Sequence, residues 1–212
     1  MCKHGRYEMA LTLTTPNTLL GRFQPQGAAA KLASNAVTVV LGTLFIAACA
    51  KINVPTWPVP VTLQSFAIAA VAAAFGLRIG VATVSLYLLE GLMGLPVFAG
   101  AFSGPAYLLG PTGGFLIGFL VLAAVTGFAA DRGASGKPLA LFGAMVAGNA
   151  VMMALGFAWL LAMSGQAGWI DQSNVVASAW ARGVQPFVVW DILKMALAAL
   201  TVTGIWGILS RR

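Results

Sequence analysis

Six long apolar runs, separated by short polar or glycine- and proline-rich connections, dominate the pattern of residues along this chain. The runs cover about residues 33–50, 61–75, 77–94, 113–130, 138–163 and 186–209. A helix needs about 20 apolar residues to cross the hydrocarbon core of a bilayer, and every run except the second approaches or exceeds that length. The runs lack the period-two alternation of barrel strands. The pattern therefore predicts an all-α membrane protein with six transmembrane helices.

The first 34 residues form a different region. They are polar, are interrupted by Pro16 and Pro25, and lack the apolar core of a secretory signal. We expect residues 1–34 to form a loosely ordered cytoplasmic tail and residues 35–212 to form a six-helix transmembrane domain that binds a substrate. The domain shows no clear internal repeat, so the pattern does not support an inverted-repeat transporter.

Composition excludes a water-soluble fold. Of the 212 residues, 59% are hydrophobic and 8% are charged, whereas a soluble domain normally carries about 25% charged residues. The net charge of +7 is compatible with nucleic-acid binding, but the chain has neither a basic stripe with interleaved aromatic residues nor a nucleic-acid motif. The lipid bilayer is therefore the expected environment, and no nucleic acid is expected as a partner.

The basic residues predict the orientation of the helices. Lysine and arginine accumulate on the cytoplasmic side of membrane proteins. If the amino terminus is cytoplasmic, the predicted crossings place nine of the 12 basic residues on that side, and the opposite orientation inverts the bias. The nine residues are Lys3, Arg6, Arg22, Lys31, Arg78, Arg132, Lys137, Arg211 and Arg212. We therefore predict a multi-pass protein of the cell inner (cytoplasmic) membrane with both termini in the cytoplasm.

Three ionisable residues lie inside the apolar runs: Glu90, Asp191 and Lys194. Each would cost about 2.5–3.5 kcal/mol if it faced lipid. Asp191 and Lys194 are three residues apart and so share one helix face, about two turns from the outer end of the sixth helix. They could form a structural ion pair between helices, but we favour a polar pocket that opens to the outside. Glu90, near the outer end of the third helix, could instead snorkel to the surface or act as a cap.

The connection between the third and fourth predicted helices, residues 94–114, is glycine-rich and apolar. It contains six glycines and three prolines, no charge, and large apolar groups such as Phe98, Phe102 and Tyr107. A solvated loop would be polar, so this composition favours a cover over an apolar ligand. The alternative is a re-entrant segment that is packed for structural reasons alone.

Several kinds of chemistry are excluded. The stretch GASGKP at 133–138 lacks the first glycine of a nucleotide-binding loop and has proline in place of serine or threonine, so any ATP must be used by another protein. His4 is the single histidine, and Cys2 and Cys49 lie far apart, so we expect no metal and no cofactor. An enzyme that uses Asp191 or Glu90 as an acid or base is the weaker alternative, because no nucleophile–base motif accompanies them.

Small residues in the first helix suggest a surface for a partner. Gly42, Thr43 and Ala47 lie on one side of that helix, and small residues allow helices to approach closely in lipid. We consider them as a docking surface for another membrane protein. Ordinary packing within the bundle is the alternative.

Four motifs carry a family resemblance. The segments PVPVTLQSF at 58–66, GLPVFAG at 94–100, YLLGPTGGFLIGF at 107–119 and DILKMALAAL at 191–200 occur in this order. Together they resemble BioY, the biotin-specific substrate-capture component of energy-coupling-factor transporters, over about residues 35–210. One departure is visible: Val188, Val189 and Trp190 precede Asp191, where the family commonly has Leu-Pro-Gly.

The resemblance implies a function that the residues alone do not. It implies six helices that capture biotin from the outer side of the membrane, coupled to a membrane-embedded protein and two cytoplasmic ATPases. The acid and base of the D-x-x-K motif contact biotin in the family, and they correspond to Asp191 and Lys194. The alternatives within transport are a capture subunit for another vitamin and a self-sufficient biotin carrier.

The chemistry of biotin fits the candidate residues. Lys194 could supply an ammonium for the carboxylate, and an aromatic group could pack the thioether ring. The candidate acceptors for the ureido N–H groups are Asp191, Asn149, Gln64 and Thr62. The candidate packing residues are Phe98, Tyr107, Tyr87 and Trp190. The sequence does not decide which polar residue meets which end of the ligand.

Overall fold

The computed structural model describes residues 18, 19, 21, 25, 27–100, 102–166, 168 and 170–210. Most of this part of the chain is helical. Its α-helices are, in chain order, α1 (Ala28–Lys51), α2 (Gln64–Phe75), α3 (Leu77–Leu92), α4 (Pro105–Leu108), α5 (Gly113–Asp131), α6 (Pro138–Ala162), α7 (Val175–Gly183) and α8 (Gln185–Ser210). Two short strands, β1 (Asn53–Val54) and β2 (Val61–Thr62), form an antiparallel hairpin between α1 and α2.

Four helical segments of the described residues are long and apolar enough to cross a membrane: α1, α5, α6 and Val175–Leu209. This confirms the prediction of an all-α protein with apolar spans. The helices α2 and α3 are shorter, with 12 and 16 residues. The second apolar run was predicted to be helical from residue 61, but residues 61–62 pair with β1 and the helix begins at Gln64. The pairing with β1 explains the delay, because residues 61–62 are held in extended backbone and cannot belong to the helix.

The first helix begins earlier than the sequence predicted. Residues 28–34, which were assigned to the tail, are part of α1. The helix then ends at Lys51, just before the hairpin. The rest of the predicted tail lies almost entirely outside the described residues.

Glycines allow the central helices to pack closely. A Cβ atom added to Gly118 of α5 would lie 2.8 Å from the Cα of Met152 in α6, and one added to Gly80 of α3 would lie 2.9 Å from the Cα of Ala72 in α2. Real Cβ atoms do not approach backbone this closely, so only glycine fits. The core between these helices is apolar, and Leu122 and Met195 are fully buried in it.

The outer surface of the bundle is also apolar. Leu44 of α1 and Leu200 and Ile208 of α8 are 60%, 63% and 64% exposed. Exposed leucine and isoleucine along most of the length of a helix are expected where the surrounding solvent is lipid. The helices are apolar both on the faces packed in the core and on the faces exposed at the outer surface. This explains why the apolar runs in the sequence are long and uninterrupted.

The two ends of the bundle differ. One end, which we call the pocket end because a cavity lies there, carries the connections 52–63, 93–112 and 163–184. The opposite end carries the corner at Gly76 and the connection 132–137. Hydrogen bonds from two helices hold the connection 93–112 in place: Lys51 Nζ of α1 donates to the carbonyl oxygens of Phe98 (2.8 Å) and Gly100 (2.9 Å). Trp159 Nε1 of α6 donates to the Gly110 carbonyl oxygen at 2.9 Å.

The structure does not present the proposed docking residues as a free surface. Gly42 and Thr43 are buried. A Cβ atom at Gly42 would lie 2.6 Å from Cγ2 of Thr83 in α3, and the Thr43 hydroxyl donates to Oε1 of Glu90 at 3.1 Å. Ala47 is partly buried against the core. These small residues serve the packing of α1 on α3, and Glu90 accepts a hydrogen bond between the same two helices.

Candidate functional site

A cavity at the pocket end brings together five of the candidate site residues. They are Thr62, Gln64, Tyr107, Asp191 and Lys194. The cavity lies between β2, α2, α4, α5, α6 and α8, and the rest of its wall is mainly apolar. The apolar residues are Val59, Pro60, Phe115, Leu116, Phe119, Met152, Met153 and Phe187. This combination of apolar walls and few polar groups is typical of a small-molecule site.

Asp191 and Lys194 form an ion pair inside this cavity. Their side chains share one face of α8, as the spacing predicted, and Lys194 Nζ lies 2.7 Å from Asp191 Oδ1. The Asp191 side chain is 3% exposed and that of Lys194 is 11% exposed. The hydroxyl of Ser65 donates to the same Oδ1 at 3.3 Å. The site thus offers a carboxylate acceptor and an ammonium donor side by side.

A second set of polar groups continues the wall. The Thr62 hydroxyl donates to Gln64 Oε1 at 2.8 Å, and Gln64 Nε2 donates to the Tyr87 hydroxyl oxygen at 2.6 Å. The Tyr87 hydroxyl in turn donates to the Val97 carbonyl at 2.9 Å. Tyr87 does not line the cavity; it is fully buried behind Gln64. Its role in the geometry is to hold the Gln64 amide in place.

Tyr107 forms the wall on the side of the glycine-rich connection. Its ring stacks on that of Phe98, with centroids 4.9 Å apart and an interplanar angle of 18°. Phe98 is fully buried and also contacts Tyr87 edge to face, with centroids 5.5 Å apart. Phe98 therefore supports the wall from behind and does not line the cavity. Gly91 makes this possible, because a Cβ atom there would clash with the Phe98 ring.

Asn149 and Trp190 do not line the cavity. Asn149 is buried in α6 about one turn from Met152 and Met153, and its Oδ1 has no hydrogen-bond partner among the described residues. Trp190 is 59% exposed and faces away from the cavity, which corrects its assignment as a packing residue. Neighbouring residues in a helix point in different directions. Trp190 therefore lies on the outer surface although it directly precedes Asp191 in the sequence.

Several wall residues were missed by the sequence analysis. Ser65 directly follows Gln64 and contacts Asp191, but a serine in an apolar run carries no signal of its own. Phe115, Phe119, Met152 and Phe187 also line the cavity and were not singled out from the sequence. Spacing offered one clue, since Phe115 and Phe119 are four residues apart on the face of α5 that follows the GPTGG motif.

The cavity is narrow in this structure. About 50 Å³ is open to the centre of a water molecule, and about 460 Å³ lies between the walls when the open mouth is counted. Pockets for drug-sized ligands usually enclose about 300–1,000 Å³. A ligand of that size would need the mouth as well as the deep part of the cavity, or a small displacement of flexible side chains such as Met152 and Met153.

Comparison with known proteins identifies the family. A sequence profile described as the BioY family matches residues 21–211. The chain belongs to the BioY family. The resemblance predicted from the four motifs is therefore confirmed.

Relatives and a solved structure extend this result. The chain is 37% identical to the biotin transporter BioY of Thermotoga maritima over 74% of this chain and 87% of that protein. It is 35% identical to the biotin transporter BioY2 of Lactococcus lactis over 76% of this chain and 84% of that protein. A crystal structure of the S-component for biotin from an ECF-type ABC transporter aligns with a TM-score of 0.68, at 22% identity, over 84% of this chain and 93% of that chain. This last likeness shows that the two proteins share a fold.

Proposed function

We propose that the protein captures biotin at the cavity of the pocket end, as the substrate-binding subunit of an energy-coupling-factor transporter. As a member of a family whose relatives are biotin transporters, the protein is a biotin transport component and not an enzyme. The solved structure with the same fold is an S-component for biotin. The assignment of the cavity and of its residues is our proposal.

The Asp191–Lys194 ion pair carries this proposal. The ureido group of biotin presents an N–H donor and a carbonyl acceptor side by side, and the pair presents an acceptor and a donor side by side. The sequence offered Lys194 as one possible partner for the carboxylate of biotin and did not decide which polar residue meets which end of the ligand. The 2.7 Å contact with Asp191 favours the ureido group instead, because the positive charge of Lys194 is already compensated. Ser65, Gln64 and Thr62 complete the polar side of the site.

The apolar walls suit the rest of the ligand. The fused thioether ring would lie among Phe115, Phe119 and Met152, and Tyr107 would cover the chain that leads to the carboxylate. With the ureido group at Asp191, the carboxylate points towards the mouth of the cavity. Asn149 supports the site from one turn below, where its unpartnered oxygen is available to a water molecule or to a displaced donor.

We propose that six helices lie in the bilayer. The helices α2 and α3 would extend for about 18 and 24 Å at 1.5 Å per residue, so each falls short of the core thickness of about 30 Å. They are joined at Gly76 and packed against α5, which would shield their ends from lipid. The positive-inside bias supports an inner-membrane location with both termini in the cytoplasm.

Cysteine labelling from intact cells tests the orientation. Single cysteines in the connection 163–184 should react with an impermeant reagent, and single cysteines next to Arg132 should not. The reverse pattern would contradict both the orientation and the position of the pocket end.

Uptake is proposed to depend on a membrane-embedded coupling protein and two cytoplasmic ATPases. The alternatives are a self-sufficient biotin carrier and a capture subunit for another vitamin. Co-purification with ATPase subunits, followed by uptake assays with and without those subunits, separates a subunit from a self-sufficient carrier.

The function itself is tested by equilibrium binding. Purified protein should bind labelled biotin, and unlabelled thiamin or riboflavin should not compete. Competition by one of these vitamins and not by biotin would contradict the proposal. As controls for substitutions of Asp191 and Lys194, Lys137→Met and Asp171→Asn should bind biotin like the parent protein. They change one lysine and one aspartate that do not line the cavity.

A further inference from the structure

A second and larger cavity lies next to the proposed biotin site. It is formed between the connections 53–60 and 99–112, and we call it the vestibule. About 520 Å³ of it is open to the centre of a water molecule, ten times the corresponding space in the biotin cavity. Pro60, Tyr107 and Thr112 line both cavities. The vestibule is therefore the space that a ligand would enter next if it extended beyond the mouth of the biotin site.

The walls of the vestibule are apolar and aromatic. Trp57 is 71% exposed and Phe102 is 77% exposed, and both line it together with Pro55, Pro58 and Ala106. None of the lining residues is charged. Lys51 lies at its edge, where its ammonium donates to the carbonyl of Gly100 at 2.9 Å and to that of Phe98 at 2.8 Å.

Two hydroxyl groups in this wall are arranged as acceptors. The Thr56 hydroxyl donates its hydrogen to the Val59 carbonyl at 2.6 Å, and the Ser103 hydroxyl donates to the Gly94 carbonyl at 2.9 Å. Their oxygens remain free to accept a hydrogen bond from an N–H group. A carboxylate has no such donor, whereas an amide has one. The vestibule thus offers acceptors for the N–H of an amide and an apolar wall for its aliphatic substituent.

We propose that the vestibule is an outer subsite for groups attached to the carboxyl carbon of biotin, so that the protein also binds biotin amides such as biotinyl-lysine. This inference rests on the proposed function, because the ureido group must lie at Asp191 and Lys194 for the carboxyl carbon to reach Tyr107. The amide N–H would then meet Thr56 or Ser103, and the alkyl chain would pack on Trp57 and Phe102.

Competition binding with the purified full chain tests the inference. Biotin and biotinyl-lysine are each titrated against labelled biotin. We expect the two ligands to bind within about tenfold of each other. If the protein binds biotin and rejects biotinyl-lysine by about a hundredfold or more, the vestibule is closed to substituents and the inference is wrong. If biotin itself does not bind, the proposed function fails, and the inference fails with it.

Two tryptophan variants test whether the group attached to the carboxyl carbon of biotin lies in the vestibule. Ala106 is exposed and lines only the vestibule, so Ala106→Trp should fill that space. We expect this variant to lose about tenfold or more in affinity for biotinyl-lysine and less than about threefold for biotin. Leu109→Trp is the matched control, because Leu109 is 66% exposed nearby and lines neither cavity. An equal loss for both ligands, or no loss for either, would contradict the inference.

Discussion

Two aspartates lie at the two ends of the bundle, one at a helix terminus and one in the wall of a cavity. At the opposite end, the carboxylate of Asp131 accepts a hydrogen bond from the backbone N–H of Leu77 at 3.2 Å. At the pocket end, the carboxylate of Asp191 meets the side chains of Lys194 at 2.7 Å and Ser65 at 3.3 Å. A carboxylate that satisfies a helix terminus is part of the fold. A carboxylate that meets side chains around a cavity can exchange a partner for a ligand.

The same contrast holds for other polar residues. At the opposite end, the buried hydroxyl of Ser135 donates to the Ala73 carbonyl at 3.1 Å, which ties the connection 132–137 to α2. At the pocket end, Thr62 and Gln64 bond to each other along the cavity wall. Buried polar residues are therefore not equivalent as site candidates. Their partners distinguish those that stabilise the fold from those that are available to a ligand.

The largest effect expected of a single substitution is found by comparing the two aspartates. Asp191→Asn should weaken biotin binding by about ten- to a hundredfold, because a charge-assisted hydrogen bond contributes about 1.5–3 kcal/mol. Asp131→Ala should leave the biotin dissociation constant nearly unchanged and lower the free energy of unfolding by a similar amount, about 1.5–3 kcal/mol. Isothermal titration and thermal unfolding measure the two effects. A loss of affinity in Asp131→Ala equal to that in Asp191→Asn would remove the distinction between the ends.

An intermediate effect is expected at Gln64. Gln64→Leu removes a neutral polar group from the wall and leaves the Tyr87 hydroxyl without its donor. Since a neutral hydrogen bond contributes about 0.5–1.5 kcal/mol, biotin affinity should fall by about two- to tenfold. Thr203→Val is the control, because the Thr203 hydroxyl donates to the Ala199 carbonyl within its own helix at 2.7 Å. Unchanged affinity in Gln64→Leu would exclude Gln64 from the site.

A smaller effect is expected at Lys51. Lys51→Met removes both hydrogen bonds to the glycine-rich connection, so the wall that Tyr107 and Phe98 form should open more often. We expect biotin to dissociate about two- to fivefold faster, which corresponds to about 0.4–1 kcal/mol. Lys51→Arg should restore the parent rate, since arginine also donates to carbonyl oxygens. Failure of arginine to restore the rate would show that the loop does not depend on these bonds.

The smallest effect concerns pH. Asp171 lies in the connection 163–184, and hydrogen bonds from the hydroxyl and backbone N–H of Ser173 hold the pKa of its carboxyl below the usual value. A lowered pKa in the folded state means that the local stabilisation is present above the unfolded pKa and is lost as the pH falls through the folded pKa. Ser173→Ala should move the Asp171 pKa back towards its usual value, as measured by NMR titration. Biotin binding at neutral pH should not change, because Asp171 is fully ionised there.

Local rules account for two features of the cavity. The three-residue spacing predicted that Asp191 and Lys194 share one helix face, and their side chains are paired there. Tyr107, a candidate from the uncharged connection 94–114, lines the cavity, whereas a cover over a ligand stays a prediction. The apolar runs predicted the helices, although the pairing of residues 61–62 with residues 53–54 delays the start of α2.

What the sequence could not predict depends on contacts between distant segments. Ser65 joins the site because α2 packs against α8, which brings it to a residue 126 positions away. Trp190 faces outwards because of the rotation of α8, and a single sequence does not fix that rotation. The sequence also could not decide the role of Gly42 and Thr43, because small residues allow close packing both against a partner protein and against a neighbouring helix.

The central claim is that Asp191 and Lys194 bind biotin and are not merely a structural ion pair. The most direct measurement is the biotin affinity of the double variant Asp191→Leu/Lys194→Met, in which no unpaired charge is left buried. We expect a folded protein whose biotin affinity is at least about a hundredfold weaker than that of the parent. A double variant that folds and binds biotin like the parent would contradict this claim.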